Sequence, residues 1–202
     1  MIKFEEKNIQ EILEKDGVIA FVTDTVWGLG CLPTSKKAVE KIYEIKQRDV
    51  KKPLILMSDD YKNLKKYVKP QSILAKEIIN KYFPGALTLI VNKSVNTPDY
   101  ITSNMETVGI RVPDNRVFSS ICKLIDGHVL ATTSANISNE PPALTYEEAL
   151  KYIGDKVDLV IKDYGEKAQG LASTVAEVLP TGVKIYRQGA IHIDVKQYGR
   201  LI

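Results

Sequence analysis

Apolar positions along the chain follow two spacings. Short runs rich in Val, Ile and Leu lie at 17–22 (GVIAFV), 53–57 (PLILM), 87–91 (LTLIV), 108–112 (VGIRV), 128–133 (HVLATT), 157–161 (VDLVI), 173–178 (STVAEV) and 183–187 (VKIYR). Bounded by Gly, Pro or Asp, such runs predict buried strands. Between several of them the spacing changes to three and four. Residues 35–46 place Ala38, Val39, Ile42 and Ile45 on one stripe, and 71–83 do the same with Ile73, Leu74, Ile78 and Ile79, with Ala75 and Phe83 at the edges. Thr145 and Glu148 form a predicted capping box for a helix over 146–153, stopped by Gly154.

Strands and helices interspersed throughout predict one α/β domain over residues 1–202, not an all-α part and an all-β part. The strands outnumber what a simple strand–helix alternation accommodates, so antiparallel pairs are expected, giving a twisted, mixed parallel and antiparallel sheet with flanking helices. FPGALT (83–88) and NEPPAL (139–144) read as turns. No repeat or low-complexity linker divides the chain.

Composition narrows this picture only a little. The 202 residues are 44% apolar and 26% charged, ordinary for a globular protein. No apolar run approaches the roughly 18 residues of a membrane span, and the first residues carry no signal-peptide core. Cys31 and Cys122 show neither paired nor metal-like spacing, which fits a reducing, cytoplasmic setting. The net charge of +3 says less than its distribution. Lys36, Lys37, Lys41, Lys46, Arg48, Lys51 and Lys52 face only Glu40, Glu44 and Asp49 in the same stretch. The first three lysines read equally well as a solvated helix face; the last four abut a buried run and are better placed to meet a polyanion.

Standard nucleotide and metal signatures are missing: there is no G-x-x-x-x-G-K-[ST], no G-x-G-x-x-G and no H-E-x-x-H. His128 and His192 are expected inside apolar strands and read as structural. What remains is a series of polar residues expected at strand ends: Thr23, Asp24 and Thr25; Lys46 and Arg48; Thr107 and Arg111; Thr132, Ser134 and Asn136; Ser173 and Thr174; Arg187. Singly, each has a dull explanation as a turn, a cap or a surface ion pair. Together, hydroxyls and cations at the tips of strands suit an anionic, phosphate-bearing ligand in a concave basic cavity.

Seven blocks in order, TDTVWGLG, KQR followed by KPL, FPGALTLI, VGIRVPD, TSANIS, STV and YRQGAI, resemble the YrdC/Sua5 family of threonylcarbamoyl-AMP synthases over residues 9–195. The length is similar to the single-domain members, without the extra C-terminal Sua5 domain. A related fold occurs inside larger hydrogenase-maturation carbamoyltransferases. The resemblance implies a nucleotidyltransferase. L-threonine and bicarbonate give N-carboxy-threonine, which attacks the α-phosphorus of ATP, brought with Mg²⁺, to yield threonylcarbamoyl-AMP and pyrophosphate. A partner transferase then moves the threonylcarbamoyl group to N6 of adenosine 37 in tRNA.

Carried over by motif, Thr25, Met57, Arg111, Thr132 and Ser173 would line the L-threonine pocket. Arg48, Lys52, Thr107, Ser134, Asn136, Pro142 and Arg187 would line the ATP side. Lys46 and Arg48 would neutralise charge in the transition state, and no protein ligand is assigned to magnesium. The opening glycines, Gly28 and Gly30, would let the backbone approach the pocket closely. The chain departs from the family pattern at Val22, Trp27, Asp49, Met57 and Thr133. Two other classes compete: a non-catalytic module that binds RNA, including tRNA, through the same basic cavity, and a structural subunit of a tRNA-modification assembly. An RNA binder would not require Thr25, Arg111, Thr132 and Ser173 together, and intact Lys46 and Arg48 argue against the structural subunit.

Overall fold

A computed structural model describes residues 2–5 and 8–198. Its strands are β1 (Ile19–Phe21), β2 (Gly28–Cys31), β3 (Ile55–Ser58), β4 (Leu87–Asn92), β5 (Thr107–Arg111), β6 (Val129–Ser134), β7 (Leu159–Val160), β8 (Thr174–Leu179) and β9 (Gly182–Arg187). The α-helices are α1 (Ile9–Glu14), α2 (Lys36–Lys46), α3 (Tyr61–Leu64), α4 (Ile73–Tyr82), α5 (Asp99–Thr102), α6 (Arg116–Cys122) and α7 (Tyr146–Ile153). All nine strands among the described residues join one sheet in the order β7-β1-β2-β6-β3-β5-β4-β8-β9. The pairs β1–β7, β3–β5 and β4–β8 are parallel and the remaining five antiparallel, so the sheet is mixed as expected.

The three predicted helices form with the capping chemistry their sequences carry. Ser35 accepts from the Ala38 N–H at the start of α2 (3.0 Å), Ser72 from Ala75 in α4 (3.2 Å), and Thr145 from Glu148 in α7 (3.2 Å). The return arm of the α7 capping box differs. Glu148 Oε2 accepts from the Leu144 N–H at 2.8 Å, one residue earlier than the standard motif. In α4 the buried stripe is Ala75, Ile78 and Ile79, whereas Ile73 is 78% exposed. Two residues separate Ile73 from Ala75, about 200° around the helix, so the two cannot share a face.

Two expectations are corrected. GLGC, absent from the predicted strands, is strand β2, pairing with β1 and β6. Its glycines make room for an aromatic ring. A Cβ on Gly30 would lie 2.8 Å from Phe21 Cε1, and one on Gly28 3.0 Å from Phe21 Cε2. Neither histidine sits in a strand. His128 occupies a left-handed turn (φ 55°) before β6, with Nδ1 3.2 Å from Asp59, and His192 is exposed beyond β9.

Candidate active site

Period-two alternation positions the site. Gly30, Thr132, Ile55, Gly109 and Ile90 stand side by side across β2, β6, β3, β5 and β4. Met57 pairs with Arg111, and Val175 with both Thr88 and Arg187. Alternate side chains of a strand share one face. In β4 and β5, Leu87, Leu89, Val108 and Ile110 enter the core while Thr88, Ile90, Gly109 and Arg111 take the opposite face. Over that second face lies a cavity of about 590 Å³. The site residues therefore gather on the face of the sheet as well as at strand ends, which corrects the expectation of strand tips alone. A larger surface groove of about 750 Å³ lies by Phe4, Ile9 and Leu124; its charged groups are Lys3, Glu11 and Glu14, with no hydroxyl cluster.

The cavity is lined by five cations, Arg48, Lys51, Lys52, Arg111 and Arg187, and by no carboxylate. Thr23, Thr25, Thr88, Thr132, Thr133, Ser134 and Ser173 supply hydroxyls, and Met57, Leu54, Ile55 and Pro142 the apolar surface. Met57, Thr132, Pro142 and Lys52 are thus all brought to the cavity. Lys46, Asn136 and Thr107 do not line the cavity. Lys46 is 1% exposed and sits behind Ser134, Asn136 stands two residues beyond that serine, and Thr107 begins β5 opposite Asn92.

Arg111 is the most deeply set of the five cations. Its Nε donates to Gly85 O (3.1 Å), Nη1 to Thr25 Oγ1 (2.8 Å) and Nη2 to Asp24 Oδ1 (2.6 Å). Thr23 donates its single hydroxyl hydrogen to Val26 O (2.6 Å), so the 3.0 Å contact between Thr23 and Thr25 runs from Thr25 to Thr23. Thr25 therefore holds a fixed rotamer and keeps one lone pair free. Burial pushes the Asp24 carboxyl up against the pull of Arg111. Burial also lowers the Arg111 pKa, with the nearby charge of Arg187 adding to that and Asp24 opposing it. Guanidinium remains the charged form here because its ordinary value is so high.

Among the described residues no carboxylate forms an ion pair with Arg48 or Arg187, although the charge of Asp49 acts on Arg48 against the effect of burial. Arg48 donates to Lys52 O and Pro53 O, both at 3.1 Å. Arg187 donates to Ser173 O (3.0 Å) and Ser173 Oγ (3.2 Å), and Ser173 in turn lies 2.8 Å from Thr88 Oγ1. Burial lowers the pKa of both guanidiniums. Two cations held only by neutral oxygens, and partly desolvated, create a positive potential that an incoming anion relieves. Lys46 Nζ is enclosed by Ser134 O, Asn136 O and Asn136 Oδ1 at 2.6, 2.7 and 2.8 Å. Burial, with the charge of Arg48 in second place, lowers its pKa to about 7.

Thr88 and Gly109 carry part of the lining without having been singled out by motif. Thr88 was legible in the alternation of LTLIV, where it is the polar position between Leu87 and Leu89. Gly109 had no signal of its own: its role comes from Ile55 and Thr88, the side chains on either side of it.

Fold and lining define a mixed α/β protein whose sheet carries an anion-receptive cavity beside a cluster of hydroxyls. Residues 11–189 match the Sua5/YciO/YrdC family model, described as telomere recombination, and the chain belongs to that family. It is 38% identical over 152 residues to a threonylcarbamoyl-AMP synthase of Buchnera aphidicola, covering 74% of this chain and 86% of that protein. It is 34% identical over 180 residues to a threonylcarbamoyl-AMP synthase of Idiomarina loihiensis, covering 87% and 94%. The structure superposes on P. abyssi Sua5 complexed with L-threonine with a TM-score of 0.85 and 28% identity, covering 93% of this chain and 56% of that one. This chain thus spans little more than half of the Sua5 chain and most of the curated relatives. No helix among the described residues is long and apolar enough to cross a membrane.

Proposed function

We propose that this chain is a cytoplasmic L-threonylcarbamoyladenylate synthase, making threonylcarbamoyl-AMP and pyrophosphate from L-threonine, bicarbonate and ATP. The observation that carries the reading is a cavity with five cations and no carboxylate that ends on the Arg111–Thr25 pair. The names of the curated relatives and the threonine bound in P. abyssi Sua5 support it. The product is an activated acyl adenylate, and a transferase acting on tRNA is the acceptor.

In this reading the amino acid lies over Met57, with its carboxylate against Arg111. Three of the five guanidinium N–H groups are already committed, so two remain for the ligand. The free lone pair of Thr25 accepts from the substrate nitrogen. Thr132 and Ser173 close the same end. Arg48, Lys52 and Arg187 meet the polyphosphate, with Ser134 and Pro142 beside the nucleoside. The carbamate oxygen forms its bond to the α-phosphorus as the bond to the β-phosphate oxygen breaks, and pyrophosphate leaves with that electron pair. Charge grows on the leaving oxygens, where fixed cations in a partly dry cavity stabilise it more than water does. No side-chain nucleophile is needed, since positioning and charge stabilisation supply the catalysis.

Among the described residues no group of three or more His, Cys, Asp or Glu stands ready to hold a metal ion, and the lining has no carboxylate. This donor set does not fit a protein-held cation. Magnesium belongs to the substrate as the ATP complex.

Incubation with Mg·ATP, bicarbonate and single amino acids, read by mass detection of the adenylate, tests the proposal. A threonylcarbamoyl-AMP signal that requires both threonine and bicarbonate is expected. Its absence from a folded sample overturns the proposal.

A further inference from the structure

We propose that Lys46 is a positioning residue, acting on the reaction through the turn from Ser134 to Asn136 and not by touching the substrate. The proposal rests on the reading of the cavity given above. Lys46 is the last residue of α2, fully buried, and no carboxylate among the described residues touches it. An ammonium has three hydrogens, and three oxygens of the turn surround Nζ at 2.6–2.8 Å. Nothing is left over for a ligand. The main chain of the same residue holds the turn a second time, as Lys46 O accepts from the Ser138 N–H at 2.8 Å.

What the turn carries explains why its position matters. Asn136 Oδ1 also accepts from Ser134 Oγ (2.7 Å), which fixes the hydroxyl of a cavity-lining residue. Ala135 N donates to Trp27 O, Trp27 N to Ala143 O and Ala143 N to Ala135 O, at 2.7–3.1 Å. These three bonds tie Ser134 and Pro142 to the segment that holds Thr25. Lys46 therefore sets the ATP side of the cavity relative to the amino-acid side.

The two cations of the K-x-R motif consequently do different work. Gln47, in the left-handed conformation (φ 47°), ends the helix and turns the chain. Arg48 then reaches the cavity lining, whereas Lys46 points into the turn. Ser134 O also accepts from the Asn136 N–H and Asn136 Oδ1 from Ser134 Oγ, so an apolar side chain at position 46 would take the donor from Asn136 O and one bond from each of the other two acceptors.

The test is a double-mutant cycle with the single tryptophan, Trp27, as a reporter of the turn. Lys46→Met and Asn136→Ala are each expected to lower kcat at least tenfold, and the double variant to fall no more than about threefold below the worse single one. Lys46→Met combined with Arg48→Ala is expected to multiply the two losses. Trp27 emission should shift in Lys46→Met and Asn136→Ala but stay as in the wild type in Arg48→Ala. A general loss of stability would change the folded fraction and produce neither pattern.

Independent, multiplying losses for Lys46 and Asn136 overturn the proposal. So does a Lys46→Met enzyme that loses turnover while Trp27 emission and Mg·ATP affinity stay unchanged, since Nζ would then act on the reacting atoms. If Lys46→Met does not fold, Asn136→Ala tests the same contact from its other end: unchanged emission and unchanged Mg·ATP affinity reject the proposal. Wild type that forms no adenylate rejects the synthase reading instead, and the cycle is then judged on Mg·ATP affinity and emission alone.

Discussion

Arg111 Nη2 lies 2.6 Å from Asp24 Oδ1, with the two side chains only 5% and 9% exposed. The deepest cation of the cavity is thus neutralised by a carboxylate that does not itself line the cavity. Removing either charge leaves the other buried and alone. Arg111→Ala is predicted to destabilise the fold by about 3–5 kcal/mol in urea unfolding, besides weakening threonine binding. Adding Asp24→Asn to that variant should recover part of the loss, because no lone carboxylate remains. Additive losses in the double variant would show that the pair does not carry this energy.

Arg48 offers the opposite case. Its partners are the carbonyls of Lys52 and Pro53 in its own loop, and it carries no buried counter-ion. Arg48→Ala is predicted to leave the unfolding midpoint nearly unchanged and to lower adenylate formation at least tenfold, of the order expected for one charge-stabilising group. Product formation at the wild-type rate would remove Arg48 from the phosphate end.

Much of this was legible because the residues concerned obey local rules. Ser35, Ser72 and Thr145 announce the three helices by capping chemistry, and eight of the strands by Val, Ile and Leu content. β2 was not, because GLGC has no β-branched residue; its strand conformation comes from pairing on both sides and from the Phe21 ring. Helix α6 follows Asn115, whose side chain accepts from Phe118 N, but its seven residues are too few to show a periodic stripe. The K-x-R motif reads as two like charges, whereas only Arg48 faces the cavity. That distinction depends on a turn 88 residues away from Lys46, beyond the reach of any local pattern.

Gly109 makes the floor of the cavity by what it lacks. A Cβ there would lie 2.7 Å from Ile55 Cγ2 and 3.2 Å from Thr88 Cγ2, both on residues that line the cavity. Gly109→Ala is predicted to displace these side chains, with an overpacking cost of about 1–3 kcal/mol. Threonine affinity measured by calorimetry should fall with it. A variant that binds threonine as the wild type does would show that the floor yields without cost.

Lys46 gives a pH dependence whose sign follows from its burial. Its pKa in the folded protein is lowered to about 7, whereas the unfolded chain keeps the ordinary lysine value of 10.5. Between these values the unfolded chain binds the proton that the folded chain has released, so raising the pH favours the folded state. Stability should rise by at most about 1.4 kcal/mol per pH unit from this one group, starting near pH 7 and ending near 10.5. Below pH 7 both states hold the proton and the contribution is flat. Other groups titrate in this range as well, so the quantity to follow is the difference between wild type and Lys46→Met in urea unfolding at pH 7, 8 and 9. The wild type should gain on the variant at each step, since methionine has no proton to release. A difference that stays constant across the series would mean that the three oxygens of the turn hold the ammonium fully charged in the folded protein.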